Sequence, residues 1–201
     1  MERKKLITYI VLAVVAFFLF AGIQIYHESP DLFHATTPYM LTVFALIAFA
    51  YAPRWQYGVI AVATFLIEWI GVISGFPFGT YYYTDRLGFA LLGVPILIGI
   101  NWAWISIGAK QIVYLARIKN KWLQAVGVGL IIMLFDILLE PVAIGLEWWV
   151  WPNGVGLANY LSWFAIGFVA SFWIKEEHKL VFPAMVVMQM LFFLGLILVG
   201  M

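Results

Sequence analysis

The chain lacks cysteine altogether and is poor in charge: 10% of its 201 residues are Asp, Glu, Lys or Arg, against about a quarter in soluble domains. Without cysteine there are no disulfides, iron–sulfur clusters, thiolate zinc sites or cysteine nucleophiles. Eleven basic against ten acidic residues leave a net charge of +1, which gives no electrostatic footprint for nucleic acid. What fills the sequence instead is apolar: 65% of residues, with a mean hydropathy of +1.01. A soluble monomer of this size cannot hide that much apolar surface, and disorder is excluded by the same numbers.

A membrane span needs about 20 mostly apolar residues. Seven stretches qualify: Leu6–Tyr26, Thr36–Ala52, Tyr57–Phe76, Ala90–Tyr114, Trp122–Ile144, Ala158–Ile174 and Leu180–Met201. The second and sixth are short. The first follows Arg3, Lys4 and Lys5 like a signal peptide, but it is long and no small-residue cleavage site follows, so it reads as a retained helix. The expected fold is therefore an all-α, polytopic membrane protein of seven transmembrane helices, one helical domain over residues 1–201 with no soluble domain, in the cell membrane among lipid.

With the N-terminus inside, Arg3, Lys4, Lys5, Arg54, Lys110, Arg117, Lys119, Lys121, Lys175 and Lys179 fall on the cytoplasmic side, and only Arg86 falls outside. The positive-inside rule then predicts N-in, C-out. The outer loops carry Glu28, Asp31, Asp85 and Glu147 with Tyr81, Tyr82, Tyr83, Trp148, Trp149 and Trp151, first of all an interfacial belt. Two of these loops contain turn signals, Pro77-Phe-Gly and Pro152-Asn-Gly. Each region has an acid on an outgoing helix, a Pro-x-Gly loop and an Asn on the returning helix, at spacings too different to make a repeat.

Three carboxylates lie inside spans: Glu68, Asp136 and Glu140. Each costs about 2.5–3.5 kcal/mol at a helix centre on insertion scales. No basic residue lies at matching depth. Counted from the outer ends they are about 8, 8 and 4 residues deep, one layer in the outer half of the bilayer. Asp136 and Glu140, four apart, share a helix face, and Pro141 loosens the backbone there, which suits a water-lined cavity. Asn101 and Asn159 are placed to join them. One reading is a structural polar cluster of protonated acids. The other is chemical: a neutral buried acid beside a carboxylate can give a proton to one atom and activate water at another. Trp69, Phe76, Phe78, Trp102, Trp104, Trp148, Trp163 and Phe164 are expected near this layer, mostly as packing, some as a slot for a long apolar ligand whose cation their ring faces stabilise.

His27, Asp31 and His34 have helical metal-ligand spacing, but Pro30 interrupts them, so no metal site is assigned. His178, among Lys175, Glu176, Glu177 and Lys179, reads as a solvated loop residue.

Glu68-Trp-Ile-Gly, Phe76-Pro-Phe-Gly-Thr-Tyr-Tyr-Tyr, Leu87-Gly, Gly93-Val-Pro and Asn101-Trp resemble the integral-membrane carotenoid 1,2-hydratases, which include gamma-carotene and bisanhydrobacterioruberin hydratases. So do Asp136-Ile-Leu-Leu-Glu-Pro-Val-Ala, Trp149-Val-Trp and Asn159-Tyr-Leu-Ser-Trp163. The resemblance covers roughly residues 64–164. It departs at Glu140-Pro141, where members carry Asp-Pro, and at Asn153-Gly-Val-Gly-Leu-Ala, where they carry Tyr-x-Gly-x-Pro. It implies addition of water across the terminal C1–C2 double bond of an acyclic carotenoid end, giving a tertiary alcohol without a cofactor. The partners are then an apolar carotenoid and water.

The physical route would be protonation at C2, a tertiary cation at C1 and capture by water. We expect Asp136 or Glu140 to donate the proton and Glu68 to orient the water. Trp69, Phe78, Tyr81, Tyr83, Asn101 and Trp102 are the expected substrate contacts from the first block, and Trp149, Asn159 and Trp163 those from the second. Three other classes remain for comparison. A retinal protein needs a lysine in the last span, and none follows Lys179. An intramembrane prenyltransferase would use Asp136-x-x-x-Glu140 to hold a metal and a diphosphate. A proton-coupled transporter would need a polar path through both leaflets, and the inner halves of the spans read as nearly bare.

Overall fold

The computed structural model describes residues 2–51, 54–175 and 180–200, with only the backbone course given for residues 2–5, 7 and 54. Ala52, His178, Lys179 and Met201 therefore lie outside the described residues. The side chains of Arg3, Lys4, Lys5 and Arg54 do as well. Among the described residues seven helices follow one another: α1 (Glu2–Glu28), α2 (Pro30–Tyr51), α3 (Arg54–Ser74), α4 (Ile96–Leu115), α5 (Lys121–Gly145), α6 (Leu157–Ala170) and α7 (Val181–Leu198). Six are long and apolar enough to cross a membrane, while α6 has 14 residues.

The bundle is built on two tight hairpins, α3–α4 and α5–α6. In each, a glycine lets backbones touch. A Cβ at Gly99 would stand 2.7 Å from the Ala61 carbonyl oxygen, and one at Gly129 would stand 2.7 Å from that of Phe164. Close approach at small residues is the usual glue of membrane helices, where lipid gives no hydrophobic push. A third such contact, Gly108 against Phe182 and Val186, seats α7 on α4. The core runs through Ala103, Ile105, Val128, Ile132, Phe135 and Val186, all fully buried.

The expected helix over 90–114 begins late. Residues Ala90–Leu91 (β2) and Val94–Pro95 (β3) form a small antiparallel pair, and α4 starts only after Pro95. The reason is local: Gly93 takes a positive φ of 81°, and Val94 precedes a proline that disfavours helical backbone. A second pair joins the two hairpin loops. Tyr82–Tyr83 (β1) runs antiparallel to Trp149–Val150 (β4), with Tyr83 opposite Trp149. It is extended by Thr84 N–H donating to the Trp148 carbonyl at 3.0 Å. Arg86 pairs with Glu147 at 3.0 Å on the surface of this junction.

The halves of the helices away from the acids, expected to be nearly bare, carry polar residues. Lys110 lies within α4, buried, and its Nζ donates to Gln124 Oε1 at 2.6 Å and Ser171 Oγ at 3.3 Å. Gln124 in turn caps the Ile118 carbonyl at 2.7 Å, and Gln56 reaches that of Trp173 at 3.1 Å. Single polar residues spaced along apolar helices do not announce that they meet. Along α4, fully buried Ile105 lies between Lys110 and the Trp102 partner of Glu68, and along α5 fully buried Val128 and Ile132 lie between Gln124 and Asp136.

Candidate active site

Glu68 sits six residues before the end of α3; Asp136 and Glu140 sit nine and five before the end of α5. At 1.5 Å rise per residue they lie about 9, 14 and 8 Å below the helix ends. All three are buried, at 3, 1 and 3% exposure. They face one small cavity of about 20 Å³, room for about one water molecule.

The loops turn back over the acids and supply their hydrogen bonds. Side chains two apart in an extended chain point the same way. Tyr81 and Tyr83 therefore both reach Glu68: each hydroxyl donates to Oε2, that of Tyr83 at 2.8 Å. Trp102 on α4 donates its indole N–H to Oε1 at 3.2 Å. Trp149 and Trp151 do the same for the second hairpin, both N–H groups donating to Glu140 Oε2 at 3.0 Å. Asn159 on α6 bridges the pair on α5, its Nδ2 donating to Asp136 Oδ2 at 2.6 Å and Glu140 Oε1 at 3.1 Å. Burial, with the Glu68 carboxylate next, holds the Tyr81 and Tyr83 hydroxyls well above the ordinary phenol range, so they remain donors.

The return of the first loop depends on Gly71, one turn beyond Glu68. A Cβ there would fall 2.7 Å from Phe78 Cδ2 and 2.8 Å from the Tyr81 hydroxyl. Ser162 on α6 fastens the same loop by donating to the Pro77 carbonyl at 3.1 Å. Above and beside the acids the rings form a wall. Trp163 stacks between Trp102, with centroids 3.6 Å apart, and Phe78, at 5.0 Å. Tyr81 stacks on Trp151 at 4.8 Å.

The structure thus brings Glu68, Asp136, Glu140, Phe78, Tyr81, Tyr83, Trp102, Trp149, Asn159 and Trp163 to one cavity. Two expected members are not there. Asn101 accepts the Trp104 indole N–H on its own helix at 2.8 Å, and its neighbour Trp102 takes the inward position. Trp69 is not among the lining residues, because one helical step beyond Glu68 turns it about 100° away. Trp151 belongs to the site but reads from sequence only as belt. Its signal was the alternation Trp149-Val-Trp151, the counterpart of Tyr81-Tyr-Tyr83. Trp148 falls in a different cleft, and Phe76 is exposed. Among the described residues no group of three His, Asp or Glu side chains is placed to hold a metal ion.

This arrangement can hold a proton on one carboxyl, charge on another and an electron-rich ring face beside both. The sequence model of a family described as "Carotenoid biosynthesis protein" matches residues 32–201. Bisanhydrobacterioruberin hydratase from Haloarcula japonica is 30% identical over 112 residues, which are 52% of this chain and 38% of that protein. The matched stretch thus spans well under half of that relative's length. No solved structure matches the chain.

Proposed function

The chain belongs to the carotenoid biosynthesis protein family, and from that premise we propose that it is a membrane-embedded hydratase. It adds water across the terminal C1–C2 double bond of an acyclic carotenoid end group, without a cofactor. The observation that carries this reading is the convergence of three carboxyl groups and a stack of indole and phenyl rings on one water-sized cavity.

Hydrogen-bond supply divides the labour. Indole and amide N–H groups can only donate, so they stabilise a carboxylate and offer nothing to an acid proton. Glu140 receives three such bonds and is the fixed anion of the site. Asp136 receives one, shared with Glu140, and is the proton donor. Its proton goes to C2 of the alkene while the π pair forms the new C–H bond. The tertiary cation at C1 lies against an outer face of the Trp102–Trp163–Phe78 stack, whose quadrupoles favour positive charge. Water then attacks C1 and gives up a proton to Glu68, whose phenol partners hold the oxygen in place. Exchange with water returns the proton to Asp136. The sum is one water consumed, with hydrogen on C2 and hydroxyl on C1.

We place the site in the outer half of the plasma membrane, with seven spans running N-in, C-out. The basic residues Arg117, Lys119, Lys121 and Lys175 at the bundle end opposite the site support this orientation. No Lys or Arg lines the cavity among the described residues, so a diphosphate would lack counter-charge there. That favours hydration over prenyl transfer. The apolar layer between the acids and the Lys110 cluster likewise favours an enzyme over a proton-coupled transporter.

The decisive experiment uses purified protein in liposomes with lycopene or a related acyclic carotenoid in heavy-oxygen water. Labelled tertiary alcohol is expected, made anaerobically and in the presence of a chelator. Label arriving from molecular oxygen, or strict dependence on Mg²⁺, would overturn the mechanism.

A further inference from the structure

A cavity of about 370 Å³ lies at the end of the bundle away from the acids. Lys121, on its lining, is the first residue of α5, and Asp136 stands about 22 Å further along the same helix. Three lysines reach the cavity, from α4, from the start of α5 and from the chain after α6: Lys110, Lys121 and Lys175. Phe172, Trp173 and Ile174 supply an apolar side. No Asp or Glu lines it among the described residues.

The inner part of the cavity is held by hydrogen bonds between elements. Lys110 is buried, and its Nζ donates to Gln124 Oε1 at 2.6 Å and Ser171 Oγ at 3.3 Å. Gln56 on α3 pins the turn after α6 by donating to the Trp173 carbonyl at 3.1 Å. Lys121 and Lys175 are exposed, and neither pairs with an acid among the described residues. Lys175 instead lies over the Trp55 ring, 5.8 Å from its centroid.

Like charges gathered around one cavity repel each other, and an anion between them reverses the sign of that interaction. Lysine is a common phosphate binder because its ammonium group acts as a compact point charge. The apolar side adds that the anion carries hydrocarbon: Phe172 and Trp173 are half or more exposed beside the lysines. Basic pockets between membrane helices take the phosphate headgroups of lipids in this way. The volume is more than twice the roughly 150 Å³ that holds benzene, enough for a phosphate and its glycerol.

We propose that this cavity binds a phosphate group, carried by a membrane phospholipid whose chains leave along Phe172 and Trp173. The proposal stands apart from the hydration reading, and its test involves no turnover. The full chain in detergent, stripped of lipid, is titrated with dioleoylphosphatidylglycerol, with dioleoylglycerol and with inorganic phosphate. Occupancy is read by native mass spectrometry.

We expect one saturable site for phosphatidylglycerol, with dioleoylglycerol bound far more weakly. Lys121→Gln and Lys175→Gln should each weaken phosphatidylglycerol about fivefold, and together about 25-fold, the scale of one and two lysines at an anionic lipid. Lys119→Gln, at the same end but outside the cavity, should change nothing. Inorganic phosphate that displaces the lipid with the same dependence on Lys121 and Lys175 keeps the phosphate site and makes the free ion its occupant. Equal binding of the two lipids overturns the proposal. So does an equal loss in Lys119→Gln, which would make the lysines a diffuse charged surface and not a site.

Discussion

The loop of the α3–α4 hairpin meets its carboxylate with phenols; the loop of α5–α6 meets its own with indoles. Both hairpins place an acid one to two turns below the loop and fold two alternate aromatic residues back onto it, one in a two-residue strand and one just beside that strand. The donors differ in one chemical respect. A phenol hydroxyl both donates and accepts and can relay a proton with water, whereas an indole N–H only donates. Glu68 thus has two phenols that can handle water beside the Trp102 indole, whereas the N–H groups on Glu140 can only fix charge. The second hairpin also carries an acid, Asp136, for which the first has no counterpart, and an inward Asn159 where the first turns Asn101 away. On the proposed mechanism, the same scaffold, used twice, separates the two halves of an acid–base reaction.

The sharpest break of that comparison is Asp136→Asn. It keeps size and hydrogen bonding but removes the proton, and pigment hydration in a lycopene-producing host should fall about 10³-fold, within the range for general acid catalysis. Glu68→Gln, in the hairpin that positions water, should cost less, about 10²-fold. Full activity in Asp136→Asn would return the pair on α5 to a structural role. Insertion is checked in each case by the yield of folded protein.

Next in size is Gly71→Ala. Its methyl would displace Phe78 and Tyr81, and overpacking of this kind costs about 1–3 kcal/mol. A lower melting temperature is expected together with reduced hydration, whereas Gly58→Ala, with nothing within 4 Å, should change neither. Tyr83→Phe and Trp151→Phe each remove one donor. Each should reduce hydration about tenfold, the scale of a hydrogen bond to a charged group. The smallest effect tests the asymmetry itself. Asn159→Leu should cost far more activity than Asn101→Leu, and equal losses would mean that Asn101 serves the site after all.

Much of the site is legible in the sequence because membrane burial makes carboxylates conspicuous. Glu68, Asp136 and Glu140 stand out against apolar surroundings, and their depth follows from helix rise. The errors lie where rotation decides. α4 buries Trp102, Ala103, Trp104, Ile105 and Ser106 in succession, so no polar face shows whether Asn101 or Trp102 points inward. Trp69 is adjacent to Glu68 in sequence but not in direction. The strands are two residues long, too short for a period to declare itself. Only the paired alternations at 81–83 and 149–151 hint at them. The polar cluster of Lys110, Gln124 and Ser171 does not show in the sequence because its members are far apart in the chain and are joined only by packing of α4, α5 and the turn after α6.

The shortness of α6 has a consequence for how the lipid meets this protein. Its 14 residues rise about 21 Å, against a hydrocarbon thickness of about 30 Å. If α6 is one of seven spans, as proposed, it would leave a shortfall that the bilayer would meet by thinning beside it. The headgroup region would then dip toward the loop at 146–156, which holds the Glu140 partners Trp149 and Trp151. Water would come to the acids by a depression in the membrane surface, and a hydrophobic chain could slide in sideways from the intact lipid on the far side of the same helix.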